Sequence, residues 1–244
     1  MYPTVRTFTL GFSLSLFVIS CKKEKVAAPE EAATPEVAWH DRQTASDLTG
    51  ALLRTSSENM ALGNPSGAVA DAASYTNYLM VKTQYSLSYN RNRATPNWVS
   101  WHIDPTWLGG AARQDDFRAD ASLPTGWYRV GGTSYSGSGF DRGHNCPSAD
   151  RTYSTTDNSA TFLMTNMIPQ APTNNQQTWA NLENYCRTLV NQGNEVYVIM
   201  GAYGTGGTGS NGTASTIDAG RITVPNRIWK VIVVLPQGSS DLSR

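Results

Sequence analysis

The sequence predicts an α+β domain with a central antiparallel sheet flanked by helices, and three observations carry that expectation. Short apolar, β-branched runs recur between Gly, Pro or Asn residues, which suits strands of such a sheet. Two of these runs open the domain with a turn-type segment between them. One stretch alone, residues 175–190, changes to the three- and four-residue steps of an amphipathic helix.

Taken in chain order, residues 78–88 alternate enough to form a strand, residues 92–96 form a turn, and residues 98–103 form a second strand. Residues 162–167, 195–200 and 228–235 read as further strands, each short and bounded by turn formers. In the helix, Trp179, Leu182, Cys186 and Leu189 make the apolar stripe, Asn175 falls in the first turn, and Gly193 marks the C-terminal boundary. The glycine-rich run 204–212 lacks the Lys-Ser/Thr pair and the strand-to-helix setting of a phosphate loop, so it is read as a flexible hairpin connection without chemistry. Trp98, Trp101, Trp107 and Trp179 belong to strands or to an apolar helix face and are expected in the core.

With 244 residues and 39% hydrophobic content, the chain is long enough for one well-cored domain plus a targeting segment. Its net charge is zero, so no global basic excess points to a nucleic-acid binder. The distribution is less neutral. Residues 22–72 hold five Lys/Arg against eight Asp/Glu, whereas residues 81–244 hold thirteen against eleven, and eleven of those thirteen are arginine. Arginine's planar fork matches phosphate oxygens, although such a preference is also a common compositional bias.

The N-terminus reads as a targeting segment. Arg6 precedes an apolar run at residues 8–19 that is too short to span a bilayer and has the length of a signal-peptide core. Val18-Ile19-Ser20-Cys21 resembles the lipobox of bacterial lipoproteins, so residues 1–20 are expected to be a lipoprotein signal peptide with the lipid on Cys21. Residues 21–58, rich in Ala, Glu, Pro and Thr, are expected to be a flexible tether carrying His40, and residues 59–244 the folded domain. The expected location is the cell envelope, by the lipid anchor, or the secreted fraction. Removing Cys21 leaves Cys146 and Cys186. An exported protein allows them to pair, while the helical position of Cys186 equally suits a small core residue.

The chemistry concentrates at Asp141-Arg142-Gly143-His144, followed by Asn145-Cys146-Pro147-Ser148-Ala149-Asp150-Arg151. A histidine beside an arginine, behind a glycine that permits close backbone approach, suits a general base acting on a phosphate. Of the other histidines, His102 follows a strand pattern and is read as structural. Glu183 and Arg187 stand four residues apart in the favourable order on the helix, which alone reads as an ordinary salt bridge. No CxxC pair or histidine cluster suggests zinc, so any metal should be a hard cation held by oxygen.

These segments, with Met164-Thr165-Asn166-Met167-Ile168-Pro169-Gln170, Asn175, Trp179 and Leu182-Glu183, closely resemble the non-specific DNA/RNA endonucleases with a ββα-metal active site. The resemblance runs from about Leu62 to the chain end and is nearest to the secreted cyanobacterial branch. Leu62-Gly63-Asn64-Pro65-Ser66 and Arg113-Gln114-Asp115-Asp116-Phe117-Arg118 also match. It implies a sequence- and sugar-non-specific endonuclease that cleaves DNA and RNA to 5′-phosphate ends, using Mg²⁺, for which Mn²⁺ substitutes. In it His144 is the general base, Asn175 the single direct protein ligand of the metal, and Glu183 a holder of the metal's waters. Arg113 clamps the phosphate, Arg142 and Arg187 support the charge or orient Glu183 and Asp141, and Asp141 itself is either catalytic or a partner for a neighbouring arginine.

The chain departs from the Serratia-type branch at Asn97, where that branch has an arginine, so the clamping task falls to Arg113. It ends at Asp241-Leu242-Ser243-Arg244, shortly after the last expected strand, where relatives continue, so the nuclease domain is read as C-terminally truncated. The expected partners are the nucleic-acid substrates, the membrane and an inhibitor protein. The rival reading is a surface nucleic-acid-binding lipoprotein with impaired catalysis.

Overall fold

The computed structural model describes residues 58–238; the expected signal segment, Cys21, His40, the tether up to residue 57 and the chain end at 241–244 lie outside them. The described chain is the expected α+β domain around an antiparallel sheet. Its strands begin with β1 (Tyr78–Val81), β2 (Ser86–Asn90) and β3 (Thr95–Ile103). A long excursion then leads to β4 (Asp141–His144), α1 (Thr155–Ala160), β5 (Met167–Gln170) and α2 (Ala180–Asn191). The chain returns through β6 (Asn194–Tyr203), the short strands β7 (Gly207–Gly209), β8 (Gly212–Ala214), β9 (Thr216–Ile217) and β10 (Ile222–Thr223), and finally β11 (Arg227–Pro236). The main sheet has the order β1-β2-β3-β6-β11, with every pairing antiparallel.

Two expected strands differ. The run 78–88 is a hairpin, because the chain turns where the Lys82 N–H donates to the Tyr85 carbonyl at 3.0 Å. No Gly, Pro or Asn marks that turn, which is why alternation alone read through it. Within 162–167, Met164–Asn166 form a 3₁₀ turn and the strand is displaced to Met167–Gln170. The Asn166 side chain fixes this corner: its amide donates to the Cys146 and Thr161 carbonyls, both at 2.9 Å, and its Oδ1 accepts from the Cys146 N–H at 3.0 Å. A fully buried polar side chain so employed outweighs the apolar character of its neighbours.

Successive side chains of a strand leave opposite faces, and the β3–β6 register shows how the residues divide. Val99, Trp101 and Ile103 pair with Met200, Val198 and Val196 and face the main core, where α2 contributes Cys186 and Val190 and its preceding turn Trp179. Trp98, Ser100 and His102 face the other way, opposite Gly201, Ile199 and Tyr197. All four tryptophans singled out in the sequence are buried, as expected of core residues. Cys146 and Cys186 are both free and buried, so Cys186 takes the core role and no disulfide joins them. The run 204–212 does form a hairpin connection through β7 and β8. Arg151, with no solvent exposure, ties the layers together by donating to the carbonyls of Gln84 and His102 while lying 4.0 Å over the Trp107 ring.

Candidate active site

The β4–β5 hairpin sits outside the main sheet and presents the Asp141 to His144 segment toward the turn that precedes α2. Packing against the partner strand calls for glycine at position 143, a demand separate from the ligand approach expected from sequence. A Cβ there would lie 2.2 Å from Gln170 Oε1, so any side chain would displace the partner strand's glutamine. Beyond the hairpin, residues 174–179 form a π-helical turn before α2 begins. In an uninterrupted α-helix, two residues eight apart differ by roughly 80° around the axis. The wider turn advances less per residue and takes up part of that angle. Asn175 and Glu183 consequently line one cavity of about 210 Å³ together with His144, Arg113, Arg142 and Ser148. An adjoining cleft of about 440 Å³ shares Arg113, Arg142 and Asn175 and adds Asp141 and Phe117.

The His144 ring is boxed by aromatic edges, with Phe117 at 5.6 Å and Phe162 at 4.9 Å between ring centres. Burial first, and then the positive charges of Arg113 and Arg142, push the imidazole down to about 3, so it is neutral at ordinary pH. Its Nε2 is buried and finds no hydrogen-bond partner among the described residues, which leaves Nδ1 as the nitrogen able to meet the cavity.

Both arginines are held in place. Arg113 donates from Nε to Asp115 at 2.6 Å and from Nη1 to the Ser148 hydroxyl at 2.7 Å, with its guanidinium 4.8 Å from the Phe162 ring centre. Arg142 donates to the Gly132 carbonyl at 2.8 Å and lies 3.7 Å over the Phe117 ring. It therefore does not pair with Asp141. That carboxylate accepts instead from Asn175 Nδ2 at 2.8 Å and from Gln176 Nε2 at 2.9 Å. Since a carboxylate can only accept, the Asn175 NH₂ must face it, and Oδ1 is turned away and available. Asp141 is thus the residue that orients the Asn175 amide.

The Glu183–Arg187 pair expected on the helix is not formed. Arg187 donates to Asp150 at 2.6 Å and to Asn184 at 2.5 Å, and Asp150 also accepts from Trp101 Nε1 at 2.9 Å, which anchors α2 to the sheet. Glu183 is held by Lys230 of β11, with Nζ to Oε1 at 2.9 Å. Lys230 is 3% exposed and lies 4.4 Å from the Trp179 ring centre. Burial raises the Glu183 carboxyl above the usual range, and the Lys230 charge acts against that rise. Sequence reading missed Lys230 because it sits inside an apolar run, and a lone charge between Trp229 and Val231 was the signal that a buried anion waited for it. Phe117, Phe162 and Ser148 likewise lie within the segments 113–118, 162–167 and 145–151, where residue type alone gives no sign that they border the cavity or its histidine.

Taken together, the cavity offers a neutral histidine, two fixed guanidinium groups, one free amide oxygen and one carboxylate. The oxygen donors Asn175 Oδ1 and Glu183 fit a hard divalent cation that retains most of its water, and among the described residues no three His, Cys, Asp or Glu side chains form a closed metal cage.

A family model described as DNA/RNA non-specific endonuclease matches residues 62–241. A nuclease of Nostoc sp. (strain PCC 7120) is 54% identical over 186 residues, 76% of this chain and 65% of that protein. The mitochondrial endonuclease G of Homo sapiens is 32% identical over 166 residues, 66% of this chain and 56% of its own length. Mitochondrial EXOG nucleases of Xenopus laevis and Danio rerio match over 45% and 50% of their lengths, so the chain spans two thirds or less of these relatives. Among solved structures, one titled as an EndoG/EndoGI complex superposes with a TM-score of 0.61 at 28% identity, over 73% of each chain.

Proposed function

The chain belongs to the DNA/RNA non-specific endonuclease family, and from that premise we propose that it hydrolyses phosphodiester bonds of DNA and RNA without regard to sequence or sugar, leaving 5′-phosphate ends. The observation that carries this reading is the convergence, in one cavity, of a neutral His144, the fixed Arg113 and Arg142, and an Asn175 amide whose oxygen Asp141 leaves free.

His144 Nδ1 takes a proton from the water that attacks phosphorus, a task for which an imidazole must begin neutral. Arg113 and Arg142 face the charge that grows on the phosphate oxygens, and their existing bonds to Ser148 and Gly132 mean that little rearrangement is needed as it grows. Asn175 Oδ1 would be the single protein ligand of Mg²⁺, or of Mn²⁺ in its place, and Glu183 would hold the ion's waters with Lys230 fixing its carboxylate. When bound, such an ion supplies positive charge to a phosphate oxygen and to the departing 3′ oxygen. Contacts to phosphates carry no sequence information, which suits cleavage without sequence preference.

The test is degradation of plasmid DNA and of RNA with Mg²⁺, with EDTA, and by the His144→Ala variant. Loss of both substrates with Mg²⁺ and protection in the other two conditions is expected, and intact substrates with wild-type protein and metal would refute the reading. We further propose export with a lipid on Cys21, a tether over residues 21–58, and an inhibitor protein as a partner. Radiolabelled palmitate should enter the wild-type protein and not the Cys21→Ser variant.

A further inference from the structure

Arg142 is an exposed side chain on β4, and a long arginine left to itself samples many rotamers. The usual restraint is a carboxylate, as Arg118 has in Asp116, Arg187 in Asp150 and Arg221 in Asp218. A carboxylate so placed also offsets the charge that the arginine brings. Among the described residues Arg142 forms no ion pair. It is held instead by two neutral groups: the Gly132 carbonyl, which accepts from Nη1 at 2.8 Å, and the face of Phe117, whose ring centre lies 3.7 Å from the guanidinium carbon. An aromatic face attracts a cation through its quadrupole and carries no net charge, so Arg142 is fixed without being neutralised.

Phe117 is itself fixed through the backbone. The next residue, Arg118, forms a parallel bridge with Leu163, its N–H donating to the Phe162 carbonyl at 3.2 Å and its carbonyl accepting from the Met164 N–H at 2.9 Å. This bridge sets the Phe117 and Phe162 rings edge to face, with 4.9 Å between centres and 89° between planes. Gly132 can join them because it has no side chain: a Cβ there would lie 2.3 Å from the Phe117 carbonyl oxygen. The same two rings bracket the His144 imidazole, and Phe162 carries Arg113 at 4.8 Å. One aromatic pair therefore touches the base and both guanidinium groups. Arg113 has Asp115 as a counter-charge, so Phe117 carries the guanidinium that has none.

We propose that Phe117 is a positioning residue for phosphodiester cleavage, its ring face holding Arg142 at the cleft so that an uncompensated positive charge meets the phosphate. This role rests on the phosphodiesterase reading and gives a task to a residue outside the base, the metal ligands and the clamps. Because Arg142 meets a charge that grows toward the transition state, loosening it should lower kcat and leave KM within about twofold.

Phe117 would be replaced through an amber codon by mono-, di- and trifluorinated phenylalanines, since fluorine withdraws charge from the ring face with little change of shape. On a DNA duplex with Mg²⁺, kcat should fall stepwise with fluorine number, to about fivefold at three, the scale of one exposed cation–π contact. Packing alone would not follow that series. An unchanged kcat across it would overturn the role, and so would a loss carried wholly in KM. In an Arg142→Met background, followed under single-turnover conditions, the series should become flat. The slope seen with Arg142 present would show that the ring acts without that arginine, and would also overturn the role. Wild-type protein inert on both DNA and RNA would instead refute the phosphodiesterase reading, and this role with it.

Discussion

Trp101 and His102 are neighbours in β3, yet their side chains leave the sheet on opposite faces and enter unlike surroundings. On the helix face, Trp101 donates to Asp150, which in turn holds Arg187 of α2, and Lys230 from the same face of β11 reaches Glu183. On the far face, His102 stacks on Tyr197 at 4.3 Å between ring centres, with Glu58 and Glu195 carboxylates 3.7 and 3.5 Å from its two nitrogens. Burial pushes His102 down to about 4, much as it pushes His144 down to about 3. Both imidazoles are therefore neutral at ordinary pH, and neutrality by itself does not identify the base. What differs is that His144 borders a cavity beside two guanidinium groups, whereas His102 is sealed beneath carboxylates that would repel a phosphate.

The largest effect expected from this contrast is on the rate. His144→Ala should slow cleavage by about 10²–10⁴-fold, the range of a lost general base, with the fold retained by circular dichroism. A loss of less than tenfold would remove His144 from the role. His102→Ala should do the reverse, lowering stability by roughly 2–4 kcal/mol through the emptied core position while leaving the rate per folded molecule as it was. Urea unfolding and active-site titration separate the two, and a rate defect as deep as that of His144→Ala would erase the distinction between the faces.

A smaller effect is expected at the residue joining β11 to the site. Lys230→Met should raise the Mg²⁺ concentration for half-maximal rate by about 10–100-fold, with partial recovery in Lys230→Arg. An unchanged metal requirement would show that Lys230 supports packing alone. The smallest expected effect is in pH dependence. Folded His144 titrates near 3 and the unfolded residue near 6.5, so between these values the unfolded chain holds a proton that the folded one lacks. Stability is lost as pH falls through that window. The stability of His144→Ala relative to wild type should improve by about 1–2 kcal/mol from about pH 7.5 to about pH 5, a range that allows for partial solvent access. A difference independent of pH would mean that the folded imidazole is not held neutral.

Much of this site was legible because its parts are written locally. His144, Asn175 and Glu183 stand at fixed spacings within recognisable segments, and the structure places all three on one cavity. The α+β class was legible from the apolar runs and the single helical stretch. The rest depends on contacts between segments far apart in the chain. Asp141 is adjacent to an arginine, but its partners lie 34 and 35 residues away, and Glu183 takes its cation from 47 residues away rather than from the next helical turn. The π-helical turn was invisible for another reason: its residues, Asn-Asn-Gln-Gln-Thr-Trp, also fit the start of an ordinary helix.

Lys230 belongs to β11, which pairs with β6 and is the last strand of the main sheet in both chain order and position. Glu183 belongs to a helix on the other side of the core, so one ion pair joins the closure of the sheet to the chemistry of the cavity. The two equilibria are thereby coupled by mass action. A cation that binds better when Glu183 is fixed also favours the state in which β11 is zipped to β6, by the same free energy in either direction. Amide exchange along β11 should therefore report on events in a cavity that the strand reaches through a single side chain.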